Sequence, residues 1–157
     1  MDFPLKAFCL KGNTEGESIE IFIEKIFGFP EHTGYDGGYD FQGTVNISIG
    51  SYAVNDANII CSTGALYRFL SDLKLCYQSL KGTAALRHSL ENELVFALKM
   101  TKMGHGVVQG EFREFPHLPN KLIFEMETDQ TCMLSAINEL QNIEELFGNN
   151  EVSCEYF

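Results

Sequence analysis

Tryptophan is absent from this 157-residue chain, proline occurs only four times, and basic residues are half as frequent as acids, 11 against 22. Without Trp, the large core side chains must come from 13 Phe, together with Leu and Ile. The shortage of cations leaves a net charge of −11 and a pI near 4.7. Such a surface repels phosphate backbones and argues against direct nucleic-acid binding. Five cysteines (Cys9, Cys61, Cys76, Cys132, Cys154) are odd in number and never spaced C-x-x-C, which excludes a zinc knuckle or a thioredoxin-type motif. No basic segment followed by an apolar run opens the chain, and no stretch approaches the length of a membrane span. The expectation is a reduced, cytoplasmic protein with no membrane partner, no cofactor and no metal.

What is present describes an ordinary core with an unusual charge distribution. Hydrophobic residues make up 45% of the chain, and its length suits one domain spanning 1–157. The acids concentrate late: residues 111–157 hold ten against Arg113 and Lys121, a net of −8. A solvated acidic surface explains this through solubility alone, but it also attracts a basic partner and speeds the encounter.

Apolar residues Phe3, Leu5, Phe8 and Leu10 suggest a leading strand before the polar turn at 11–16. Period-two alternation marks strands at Ile19, Ile21 and Ile23 and again at Val45, Ile47 and Ile49. Between them Gly28 to Gly43, rich in glycine, must be a loop, and loops of that length are often functional. Extended structure is also expected at Ala57 to Cys61. Ser62 or Thr63 then caps a helix ending at Gly82, with Leu66, Phe69, Leu70, Leu73, Cys76, Tyr77 and Leu80 on one face. Further strands are expected at Ala84 to Leu90, Glu93 to Thr101, Val107 to Phe115 and around Leu122, Phe124 and Met126. Asp129 or Thr131 caps a last helix whose Met133, Ala136, Ile137, Leu140, Ile143 and Phe147 form the buried stripe. A polar tail, 149–157, follows Gly148.

Strands joined by short turns imply antiparallel pairing, so the predicted class is α+β: a mostly antiparallel sheet of six to seven strands with two helices packed on one face. The other face is then left to solvent or to a ligand.

Catalytic signatures are missing. His32, His88, His105 and His117 lie far apart in sequence, and Gly104-His105-Gly106 reads as a hairpin turn because no phosphate-loop Lys follows it. Glu125 and Glu127 share one face of a strand and could serve hydrolysis or hold a divalent cation, but alternating Glu normally marks the solvent side. Asp36 and Asp40 lie beside glycines, where Asp favours tight turns.

Several segments together resemble the WapI family of bacterial immunity proteins: Ile19 to Gly28, Tyr35-Asp36-Gly37-Gly38-Tyr39-Asp40, the helix from Leu66 to Leu80, Leu122-Ile123-Phe124-Glu125, and Thr128-Asp129-Gln130-Thr131 opening the last helix. The resemblance covers about residues 19–148. It implies an α+β domain without catalytic residues that binds and neutralises a cognate toxin, commonly a nuclease, inside the producing cell. The expected partner is a basic toxin domain bound 1:1. Charge and loop position nominate Asp36, Tyr39, Asp40, Glu111, Glu114, Glu125 and Glu127 as toxin contacts, with Tyr39 as the aromatic anchor. Two rival functions remain on sequence grounds: a small ligand-binding or regulatory α+β domain using the uncovered sheet face, and a metal-dependent hydrolase built on Glu125, Glu127 and a histidine.

Overall fold

Among the described residues, period-two alternation in the sequence becomes eight strands, and the two stretches of three-and-four spacing become helices. A computed structural model describes residues 2–148, and the polar tail expected at 149–157 lies outside the described residues. The elements are β1 (Leu5–Lys11), β2 (Ser18–Ile26), β3 (Asp40–Ile49), β4 (Tyr52–Ser62), α1 (Thr63–Ser79), β5 (Thr83–Leu86), β6 (Leu94–Met100), β7 (His105–Phe112), β8 (Leu122–Asp129) and α2 (Gln130–Phe147).

The class is α+β, and every strand pairing is antiparallel. The strands form two sheets of four, β1-β2-β3-β4 and β5-β6-β7-β8, instead of one sheet of six to seven. The physical reason is that each group of four pairs only through its own hairpins, while α1 separates β4 from β5 and interrupts the ladder. Four strands and a helix therefore occur twice in succession, a repetition of architecture that no repeat in the sequence announces.

Both helices begin on side-chain caps. Ser62 Oγ accepts from the Ala65 amide at 3.0 Å, and the Asp129 carboxylate accepts from the Cys132 amide at 3.1 Å. Helix α1 stops earlier than expected, because Leu80, two residues before Gly82, already adopts the left-handed conformation that closes it.

One core joins both sheets and both helices. At its centre Phe8 from β1, Phe69 from α1 and Phe96 from β6 meet, with centroids 5.6 Å apart for Phe8–Phe69 and 5.4 Å for Phe69–Phe96. Hydrogen bonds join the sheets as well: the Asn13 amide donates to the Glu127 carbonyl at 2.8 Å, and the Thr128 side-chain Oγ1 donates to the Lys11 carbonyl at 2.8 Å.

Candidate functional site

The seven residues nominated from sequence fall into two places. Asp36, Tyr39 and Asp40 belong to the loop at residues 27–39 and its junction with β3. Glu111, Glu125 and Glu127 project from the second sheet, and Glu114 lies exposed in the turn after β7.

The loop closes over the start of α1. The Tyr39 amide donates to Thr63 Oγ1 at 2.8 Å, and the Thr63 amide donates back to the Tyr39 carbonyl at 2.9 Å. Gly64 permits this approach, since a β-carbon there would lie 2.3 Å from the Gly37 carbonyl oxygen. Tyr39 is only 2% exposed; its hydroxyl donates to the Pro30 carbonyl, and its ring meets Phe29 edge-on at 5.2 Å. So enclosed, Tyr39 holds the loop's shape.

Asp36 is buried too. Its Oδ2 accepts from Ser62 Oγ at 2.6 Å and from Arg68 Nη2 at 2.9 Å, and its Oδ1 accepts from the amide and hydroxyl of Ser89. Burial opposes this charge, but the bonds from Ser62, Ser89 and Arg68 outweigh it and hold the carboxyl below its ordinary pKa. Asp36 thereby ties the loop to α1 and to the segment between β5 and β6.

Beside it, His88 Nε2 lies 3.4 Å from Asp40 Oδ1, while His88 Nδ1 accepts from the amides of Leu90 and Glu91. Those two amides place the proton of the neutral ring on Nε2. Burial disfavours charge on His88, but the bond to Asp40 and the proximity of Asp36 prevail and raise its pKa. A second proton would have to enter at Nδ1 and displace both amides. Sequence spacing gave no hint of this cluster, since Asp36, Ser62, Arg68 and Ser89 meet only through tertiary folding.

The second sheet buries Val108, Phe112, Phe124 and Met126 on its inner face, so Gln109, Glu111, Ile123, Glu125 and Glu127 point outward. Gln109 pairs with Glu125 across β7 and β8, and its Nε2 donates to Glu125 Oε1 at 2.6 Å. Glu111 lies 3.6 Å from Arg113 and 3.9 Å from Lys121. Ile123, opposite Glu111, is 69% exposed, an unusual position for a large apolar side chain on a strand.

Towards β5 and β6 the same face sinks into a groove of about 550 Å³, lined by Ala85, Arg87, Val95, Ala97, Gln109 and Glu111 among others. Ala85 lies opposite Ala97, which in turn lies opposite Gln109, so two short side chains form the floor. The β5–β6 half was missed from sequence because alanines in a strand carry no chemical signal.

The acidity of α2 also has internal uses. Glu139 Oε1 accepts from the Cys9 amide at 2.9 Å, and its Oε2 lies 3.7 Å from Lys6. Gln130 Nε2 donates to the Tyr77 carbonyl at 2.9 Å, satisfying a terminal carbonyl of α1. Among the described residues, no group of three or more His, Cys, Asp or Glu is placed to hold a metal ion. Glu127 and His105 border one shallow depression of about 340 Å³, which Glu125 does not line.

No curated protein matches this chain in sequence. Among solved structures, it is similar to a chain of the CdiA-CT/CdiI toxin and immunity complex from Enterobacter cloacae, at 15% identity and a TM-score of 0.42, with 78% of this chain and 97% of that one covered. The model of the immunity protein WapI-like family matches residues 9–148, and the chain belongs to that family.

Proposed function

We propose that this protein binds a cognate toxin domain 1:1 in the cytoplasm of the cell that makes it, neutralises that toxin and catalyses no reaction. Membership of an immunity protein family supports the role. The mode of binding rests on one observation: Glu111, Glu125 and Glu127 leave the same outer face of the second sheet, beside the exposed Ile123. A nuclease needs a cationic surface for its phosphate substrate, and a carboxylate-bearing sheet face competes for that surface. Glu114 extends the acidic rim. Asp36 and Tyr39 contribute from within by keeping the loop in shape, with Asp40, half-buried beside His88, at its end. No helix among the described residues is long and apolar enough to cross a membrane.

The test is co-expression with the toxin domain encoded beside this chain. A complex that co-purifies at 1:1 and protects cells is the expected result. No complex and no protection would sink the reading.

A further inference from the structure

We infer that the groove on the outer face of the second sheet seats an extended segment of the toxin, with a small apolar side chain over Ala85 and Ala97, a cation towards Glu111 and Glu125, and a carboxylate at Arg87. This rests on the immunity reading and names the chemistry of the segment recognised.

The face is polarised. Exposed Arg87 lies at one end of the groove and exposed Lys99 on β6, and among the described residues neither has an ion-pair partner. Across the sheet, Glu127 shares a cross-strand row with Lys99 through Val107, two strands away. At the usual spacing of about 4.8 Å per strand, these charges stand roughly 10 Å apart, too far to neutralise each other directly. The groove lies beside that row, on the next one, where Ala85, Ala97, Gln109 and Glu125 stand in register across the four strands. Arg87 borders it towards β5, Val95 and Gln109 wall it, and Glu111 lines it towards β8. A binding segment therefore needs opposite charges at its two ends and little bulk between them.

A second copy of this chain offers complementary charges under two-fold symmetry, but two concave faces leave a void between them. Two copies also bring together net charges of −11 each. A protruding loop or strand of a different, basic protein fills the groove without either penalty.

The anchoring of the rim suits such a role. Arg87 immediately precedes His88 and Ser89, whose bonds to Asp40 and Asp36 hold the segment after β5 in place. Pre-ordered contacts lose less entropy when a partner arrives.

The experiment measures affinity of the toxin domain for four proteins: the unaltered chain, Ala97→Arg, Arg87→Glu and the control Lys81→Glu. Ala97→Arg blocks the floor from the solvent side, Arg87→Glu reverses one end, and Lys81→Glu makes the same charge change at an exposed position beyond α1. Circular dichroism and Tm confirm that each variant folds. The expected result is about tenfold or greater weakening for both groove variants and less than about twofold for the control. Full affinity in folded groove variants overturns the proposal and leaves the immunity function standing. Concentration-dependent dimers of the unaltered chain that Ala97→Arg abolishes assign the groove to a second copy and also overturn it. Failure of the unaltered chain to bind the toxin overturns the immunity reading, and this inference with it.

Discussion

At the residue scale, Asp36 and Tyr39 show how a side chain that looks like a contact can be a structural part. Both sit in a glycine-rich loop, where polar and aromatic residues suggest a partner, yet both turn inward. Replacing Asp36 with Ala leaves Ser62, Ser89 and Arg68 without their shared acceptor, and should cost roughly 2–3 kcal/mol, read as a lower Tm. The pH dependence has a definite sign. The folded-state pKa of Asp36 is depressed, so its contribution is present above the unfolded carboxylate value of about 3.9 and is lost as pH falls through the folded value. Asp36→Asn should therefore flatten the acid limb of a Tm-against-pH curve; an unchanged limb would show that other carboxylates govern it. Tyr39→Phe removes the hydroxyl bond to Pro30 and should lower stability by about 1 kcal/mol while leaving toxin affinity unaltered. A large loss of affinity without loss of stability would restore Tyr39 as an anchor.

Among the elements, the start of α2 and the middle of β7 carry the most informative detail. Asp129 was legible as a cap because Asp before an apolar-periodic stretch satisfies first-turn amides. The role of Gln130 was not legible, since its partner, the Tyr77 carbonyl, lies on the other helix. Gln130→Glu should destabilise more than Gln130→Ala in thermal unfolding, because it removes the donor and sets a negative charge beside the carbonyl end of α1. In β7 a β-carbon on Gly110 would lie 2.5 Å from Phe96 Cβ and 2.6 Å from Phe124 Cζ. Gly110→Ala should cost about 1–3 kcal/mol, and chemical denaturation would measure it. Strand positions were readable from alternation, but the division into two sheets was not, since alternation tells which way a side chain faces and not which strand lies beside it.

Across the whole molecule, one core spans both sheets and the aromatic trio Phe8, Phe69 and Phe96 bridges them. Phe69→Ala should cost about 3–5 kcal/mol and unfold both sheets in one transition. Separate transitions for the two halves would contradict a shared core. The net charge acts at the same scale. Toxin association should slow as salt rises from low ionic strength towards about 0.15 M, where the screening length is about 8 Å, with a much smaller change in dissociation. Stopped-flow mixing at several salt concentrations checks this.

Composition, periodicity and capping residues determined the α+β class, the order of the elements, the acidic surface and the outward direction of Glu125 and Glu127, because each depends on neighbours a few positions away along the chain. Only the tertiary structure decided that Asp36 and Tyr39 face inward, that Glu139 serves Lys6 and the Cys9 amide, and that Ala85, Arg87 and Ala97 border one groove with Gln109 and Glu111. These outcomes depend on contacts between residues remote in sequence, and burial and long-range pairing are set by how the two sheets and two helices pack together.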